Sequence, residues 1–253
     1  MIKVAVCGAL GKMGRASVEA IAGENDMELV GLCDKSSGEY SGLIVQQDLS
    51  KAIQGADVCL DFTHPSAAVD NALRCLENGI SPVIGTSGIT LDAQQKIRVA
   101  AASVPALVVP NFAIGAILMM RFAEIAAKWM PDCAVIELHR AEKPDAPSGT
   151  ALHTAERISK ARIARSVSDS PDHKILAEGA LGATVEGVPV HSIRLKGLLA
   201  HQEVLFGAAG ETLTIRHDSL DRSSFMPGVL LAIRKVRTLK GLTVGLEGLM
   251  FGE

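Results

Sequence analysis

Ile2-Lys3-Val4-Ala5-Val6-Cys7-Gly8-Ala9-Leu10-Gly11-Lys12-Met13-Gly14 is the stretch whose reading decides the fold. Ile2 to Cys7 is a short apolar run with β-branched residues and reads as a strand. Glycines at 8, 11 and 14 follow at once, and Arg15 to Ala22 behind them has helical spacing. Strand, glycine turn and helix in this order make a dinucleotide-binding unit. The requirement is steric: a β-carbon at Gly8 or Gly11 would block a pyrophosphate from the backbone, and Gly14 lets the helix lie close on the sheet. A second strand, Met27 to Cys33, ends in Asp34, an acid about 20 residues past the glycines and suited to ribose hydroxyls. Gly8, Leu10, Gly11, Lys12, Met13, Gly14 and Asp34 are therefore candidate contacts for NADH or NADPH. Lys35 would offset the repulsion between Asp34 and a 2′-phosphate.

The same alternation continues outward. Val58 to Phe62, Val83-Ile84 and Leu107 to Val109 read as strands, with helices at Pro65 to Glu77 and Leu91 to Ala102. Alternating strands and helices predict a parallel, doubly wound α/β sheet of Rossmann type. Ligands on such sheets bind beyond the carboxyl ends of the strands. Two strand-end loops fit that position: Asp61-Phe62-Thr63-His64 and Gly85-Thr86-Ser87-Gly88. A plain turn with a helix cap is the alternative reading of each, Thr63 capping before Pro65 and Thr90 before Leu91. His64, just before a proline, is read as a turn residue rather than a catalyst.

Pro110-Asn111 closes the alternating pattern, and Asn111 is placed to cap a long helix, Phe112 to Met130. From Cys133 the character changes. Strand-like runs at Ala134–His139, Val190–Leu195, His201–Ala208 and Thr212–His217 have few helices between them, which predicts an α+β domain with a mostly antiparallel open sheet. The polar, glycine-bearing stretch 162–187 reads as mobile or as a long excursion. A helix returns at Phe225 to Leu239, before a short apolar tail. His191, Arg194, His201 and His217 fall mostly on alternating strand positions and are assigned to the solvent side.

Composition excludes several classes. A net charge of −3 is wrong for a dedicated nucleic-acid binder, and 3% aromatic residues leave no base-stacking platform. No apolar run approaches the roughly 20 residues a membrane span needs. No signal peptide precedes the first strand, so a cytoplasmic protein is expected. Five cysteines, with no paired spacing, read as reduced core residues. No cluster has metal-ligand spacing, so no metal is expected.

The chemistry concentrates in Glu137-Leu138-His139-Arg140-Ala141-Glu142-Lys143-Pro144-Asp145-Ala146-Pro147-Ser148-Gly149-Thr150. A strand leads in and an amphipathic helix leads out, so Ser148 is the N-cap and the N–H groups of Gly149 and Thr150 lie at the positive end of a helix. Such an end binds a carboxylate or phosphate. With His139, Arg140 and Lys143 just upstream, the segment is suited to hold a small anion and pass it a proton. His139 and Arg140 are strand neighbours and should point to opposite faces. A bulge or twist near the strand end is the expected way for both to turn inward.

These residues resemble the signature of the dihydrodipicolinate reductase family, in which two adjacent histidines precede a lysine and a Ser-Gly-Thr turn. The second histidine is Arg140 here. Gly8 to Gly14, Asp61-Phe62-Thr63, Gly85 to Gly88, Pro110 to Gly115 and Asp221 to Phe225 resemble family landmarks in the family's order. The resemblance implies an enzyme, an oxidoreductase acting on a CH-CH group, that uses NADH or NADPH to reduce 4-hydroxy-tetrahydrodipicolinate to tetrahydrodipicolinate in lysine and diaminopimelate biosynthesis. His139 and Lys143 would be catalytic, with Arg140, Ser148, Gly149 and Thr150 holding a small cyclic dicarboxylate. Phe62, Thr63, Gly85, Thr86, Ser87, Pro110, Asn111, Phe112 and Arg222 would join the cofactor contacts. It further implies a discontinuous dinucleotide-binding domain (1–110 and 221–253), a substrate and tetramerisation domain (111–220), and a homotetramer without nucleic-acid or membrane partners. The competing readings are another two-domain NAD(P)-dependent amino-acid or semialdehyde dehydrogenase, and a non-enzymatic dinucleotide sensor.

Overall fold

The strands that the sequence marks as continuously apolar lie at the centre of a parallel sheet. In a computed structural model, which describes residues 1–162 and 174–252, this sheet has eight strands. In chain order they are β1 (Ile2–Cys7), β2 (Met27–Cys33), β3 (Gly38–Tyr40), β4 (Leu43–Gln46), β5 (Val58–Asp61), β6 (Ser81–Ile84), β7 (Ala106–Val108) and, far downstream, β13 (Leu242–Val244). The order across the sheet is β13-β7-β6-β5-β1-β2-β4-β3, parallel throughout except for the β3–β4 hairpin. Every residue of β5, β6 and β7 is buried, as strands covered on both faces must be. The covering helices are α1 (Lys12–Ala22), α2 (Leu49–Ala52), α3 (Pro65–Glu77) and α4 (Leu91–Ala100), joined later by α7 (Met226–Val236); a short helix, α8 (Glu247–Phe251), follows β13. The chain leaves β1 toward β2 and later returns to its other side as β5, so the strand order reverses between β1 and β5. A crevice at the carboxyl ends of such a pair is where α/β sheets bind ligands.

By its internal contacts the chain divides into two units, Met1–Ala113 with Arg222–Glu253, and Ile114–Asp221. The apolar tail pairs as β13 with β7, and a 3-10 turn at Arg222–Phe225 packs against α1 and α7.

The second unit holds α5 (Ile114–Ala127), β8 (Asp132–His139), α6 (Gly149–Ala161), β9 (Ala183–Val185), β10 (Val188–Arg194), β11 (Ala200–Ala208) and β12 (Glu211–Ser219). Its five-stranded sheet has the order β12-β11-β8-β10-β9. The pairing is mostly antiparallel, as expected. β8 and β10 are the parallel exception, because α6 lies between them in the chain and parallel neighbours need such a crossover. On one face Val135, Val190, Val204 and Phe206 pack against Ala151, Ala155 and Ile158 of α6 and Ala123 and Ala127 of α5. The small helical residues let both helices sit close on the sheet. Of the 162–187 excursion, 163–173 lie outside the described residues; the remainder carries turns and β9.

The solvent assignment of the four basic strand residues needs correction for two of them. Arg194 is the register partner of His139 and lies on the helix-facing side of β10. His217 pairs with the buried Gln202 and packs against α5, where a β-carbon on Gly115 would come 2.5 Å from its ring. His191 and Arg194, three apart on β10, must point to opposite faces, so both could not face solvent; which face the helices cover is a tertiary fact. No helix among the described residues is long and apolar enough to cross a membrane.

Candidate active site

The glycine turn is shaped by its own backbone. Gly8 has φ +72°, and a β-carbon there would lie 2.7 Å from the Phe62 carbonyl oxygen. At Gly14 a β-carbon would meet the Gly8 carbonyl oxygen at 2.0 Å. These two glycines are thus required by the protein itself: Gly8 by the neighbouring strand end, Gly14 by the turn beneath the helix rather than by the sheet. Gly11 differs. Its β-carbon would meet only the Gly8 carbonyl oxygen, at 3.2 Å, and the residue is exposed. It is also the N-cap of α1, with no side-chain cap, so the start of that helix has no side-chain acceptor of its own. An anion is the complement of this arrangement, and the cradle fits a pyrophosphate.

Asp34 stands where the ribose acid was expected, yet it also holds the turn: Oδ2 accepts from the Leu10 N–H at 2.9 Å. The Lys35 side chain is exposed, while its carbonyl accepts from Gln47 Nε2 at 2.7 Å. A second cation was missed. Arg15 donates from Nε to the Leu10 carbonyl at 3.0 Å and stacks over the Tyr40 ring, 4.7 Å from its centre. Lys12 and Met13 form the first turn of α1.

The two strand-end loops are tied together by a buried carboxylate, Asp61. Its Oδ1 accepts from the Thr63 N–H at 2.8 Å and the Thr63 hydroxyl at 2.6 Å, and lies 3.2 Å from the Thr86 hydroxyl. Its Oδ2 accepts from Asn71 Nδ2 at 2.8 Å. Thr63 therefore serves Asp61 rather than capping α3. The cap is His64, whose Nδ1 accepts from Ser66 N, in keeping with its reading as a turn residue. Thr90 caps α4 as expected. Phe62 and Phe112 meet at 5.5 Å between ring centres, and a β-carbon on Gly85 would strike both rings. Three cofactor candidates thus converge. Ser87 and Pro110 lie exposed in neighbouring strand-end loops. The Asn111 side chain accepts from the Ala113 N–H at 2.9 Å just before α5 begins at Ile114.

In the second unit, β8 brings Glu137 and His139 onto one face, two residues apart. Glu137 is fully buried, and sequence reading passed it over. Its Oε2 bonds His139 Nδ1, and its Oε1 accepts from Arg194 Nη2 at 2.7 Å. Burial alone would raise the Glu137 pKa, but hydrogen bonds from His139, Arg194 and Ser192 hold it down to about 2. The same Arg194 nitrogen donates to the Asp145 carbonyl at 2.7 Å, and Asp145 accepts from Lys143 Nζ at 2.6 and 2.7 Å. One buried carboxylate is thereby connected to both proposed catalytic side chains. The sequence signal was present: an acid at i−2 from a strand histidine, on its own face, with an arginine elsewhere to pair with it.

Ser148 is the N-cap of α6, its hydroxyl accepting from the Ala151 N–H at 3.2 Å. A β-carbon at Gly149 would meet nothing within 4 Å, so the backbone there is open to approach. The first turn is linked back to the sheet, since the Thr150 carbonyl accepts from the Thr154 hydroxyl, which accepts from Gln202, the register partner of Glu137. The bulge expected near Arg140 does not occur. β8 keeps continuous register with both neighbours and ends at His139, so no bulge turns Arg140 inward. Arg140 is the first residue past the strand, exposed and freed from strand alternation, its carbonyl accepting from the Lys143 N–H at 3.2 Å. Among the described residues no His/Cys/Asp/Glu group could hold a metal ion.

Comparison with known proteins gives the geometry its context. Residues 2–112 match the family model described as dihydrodipicolinate reductase, N-terminus, and 115–250 match that of its C-terminus. The chain is 51% identical to the 4-hydroxy-tetrahydrodipicolinate reductase of Cutibacterium acnes, covering 99% of each. It is 48% identical to the enzyme of that name from Moorella thermoacetica, covering 98% of each. Among solved structures, dipicolinate-bound dihydrodipicolinate reductase from Paenisporosarcina sp. TG-14 superposes with a TM-score of 0.86 at 40% identity, over 98% of both chains.

Proposed function

The chain belongs to the dihydrodipicolinate reductase family, and from that premise we propose how its own residues carry out the NAD(P)H-dependent reduction of 4-hydroxy-tetrahydrodipicolinate in lysine and diaminopimelate biosynthesis. The observation that carries the proposal is the linked set His139–Glu137–Arg194–Asp145–Lys143 beside a helix N-terminus left open at Gly149. Neither a sensor nor a dehydrogenase of another class accounts for the match to both family models.

Residues 1–110 with 221–253 form the dinucleotide domain. Gly8, Leu10, Gly11, Lys12, Met13 and Gly14 hold the pyrophosphate. Asp34 and Lys35 face the adenosine ribose. Phe62, Thr63, Gly85, Thr86, Ser87, Pro110, Asn111, Phe112 and Arg222 complete the set. The bound NADH or NADPH supplies the hydride.

Residues 111–220 form the substrate and assembly domain. Lys143, Arg140 and the Ser148-Gly149-Thr150 turn bind the two carboxylates through charge-assisted hydrogen bonds. His139 delivers a proton to the reduced ring, a general-acid role for which imidazole is the commonest side chain. The sheet face away from the helices carries Ile136, Leu138, Ile193 and Leu205, and packing of that face against other copies would give a homotetramer. The enzyme acts in the cytoplasm.

The test is to supply the condensation product of aspartate semialdehyde and pyruvate and follow NADH or NADPH absorbance. Oxidation of the cofactor only with that substrate, inhibited by pyridine-2,6-dicarboxylate, is the expected result. Turnover of unrelated keto acids without it would contradict the proposal.

A further inference from the structure

Glu137 is an unusual residue to find beneath a proposed proton donor, because a buried carboxylate is strongly destabilising unless it is fully paired. Here it is paired on both oxygens. Oε1 faces Arg194 and Oε2 faces His139 Nδ1, and Ser192 stands directly opposite on β10. Among the described residues, the charged groups linked to the ring are Glu137 on its own strand, which bonds it, and Arg194 from β10, which bonds Glu137 and through the Asp145 carbonyl joins the loop where Asp145 pairs with Lys143. β11 presents only Ala200 at this level.

An ionised carboxylate can only accept hydrogen bonds. Nδ1 must therefore carry a proton in the charged and in the neutral ring alike. The proton that leaves is the one on Nε2. We infer that Glu137, held by Arg194, is the positioning residue of this site: it fixes the Nδ1–H form of His139 so that Nε2 is the atom that protonates substrate, and through Arg194 and the Asp145 carbonyl it anchors the loop bearing Lys143. When Nε2 gives up its proton to the reduced ring, His139 becomes a neutral imidazole with its remaining hydrogen still on Nδ1. The carboxylate keeps its charge and Arg194 its own, so nothing else in the cluster changes protonation.

The inference rests on the proton-donor role proposed for His139, and its test separates the two. In protein labelled with 15N-histidine, the neutral His139 ring shows the Nδ1–H tautomer. In Glu137→Gln the single amide oxygen is taken by Arg194 and the NH2 turns toward the ring, so the neutral ring becomes the Nε2–H tautomer. That variant loses at least about tenfold in kcat, and at most the roughly 10⁴-fold that an absent acid costs. Its KM for substrate and its affinity for NADH stay within about twofold, because groups that contact them are unchanged. Arg194→Lys, which keeps the charge but loses the two-way donation, lowers kcat and raises KM through Lys143. A wild-type ring in the Nε2–H form would overturn the inference, and this reading does not require any variant to fold. So would a folded Glu137→Gln enzyme with wild-type kcat. Wild-type protein inactive on the condensation product, yet showing the Nδ1–H ring, would instead contradict the proposed function.

Discussion

The two units build their sites from different materials. In the first, the proposed binding surface is made by the backbone itself: a glycine turn, the open start of α1 and strand-end loops pinned by one buried aspartate. In the second, side chains from three elements are assembled around a buried charge, Glu137, with Arg194 arriving from a strand far along the chain. A backbone site tolerates any side chain that stays out of the way, so it fails when a β-carbon is added. A side-chain site fails when one partner is removed and another is left buried without its counter-charge.

The largest expected effects lie in the second unit. His139→Gln should cost about 10²- to 10⁴-fold in kcat, roughly 3 to 5 kcal/mol in the barrier. Lys143→Ala should lower kcat and also raise KM. Steady-state kinetics on folded variants check both, and near-full activity in either would break the site assignment. Arg140→Ala tests a looser part of the same site. A lost charge-assisted bond is worth about 1.5 to 3 kcal/mol, so KM for substrate should rise by more than kcat falls, with cofactor affinity intact. Because guanidinium stays charged at working pH, substrate binding should persist further into alkaline pH than in a relative with histidine there. An unchanged KM would leave Arg140 on the solvent side.

The glycines sharpen the contrast from the other unit. Gly14→Ala forces a β-carbon against the Gly8 carbonyl and should cost about 1 to 3 kcal/mol of stability. Gly11→Ala meets only one atom, at 3.2 Å. It should leave thermal stability nearly unchanged while weakening NADH by about tenfold, 1.4 kcal/mol. Stability loss in both, with cofactor affinity unmoved in Gly11→Ala, would show that both glycines serve packing alone.

Much of the first unit was legible because its determinants are local. Ile2 to Gly14 carries strand, turn and helix start within one window, and Asp34 follows at a fixed distance. Gly8 and Gly14 are glycines the fold requires, but for other reasons than the sequence suggested: the atoms that exclude a β-carbon belong to the Phe62 and Gly8 carbonyls. In the second unit the motif residues were visible but their supports were not. Strand alternation puts Glu137 beside His139, yet it cannot say which face α6 covers. Without that, Arg194 and His217 looked like solvent residues and Glu137 was given no role. The strand's end at His139 was legible, but whether a bulge precedes it is decided by its neighbours' register, which no single strand's sequence contains.

Acid stability offers a smaller effect that again separates the units. Glu137 has its pKa lowered from 4.5 to about 2. Its contribution is therefore complete above the unfolded value and is lost as pH falls from about 4.5 toward 2. Melting curves across that window should show a steeper loss in wild type than in Glu137→Gln. Parallel curves would mean the carboxylate contributes nothing net. Smallest of all, Lys35→Ala should weaken NADPH by a few-fold more than NADH, since an exposed pair is worth at most about 1 kcal/mol. Equal losses would place Lys35 away from the phosphate.

The most direct measurement is a crossed titration by calorimetry: NADH alone, then pyridine-2,6-dicarboxylate at saturating NADH, each against wild type, Gly11→Ala and Arg140→Ala. The account predicts that Gly11→Ala weakens NADH and leaves the dicarboxylate unchanged, while Arg140→Ala does the reverse. Either variant weakening both ligands equally, or neither, would contradict it.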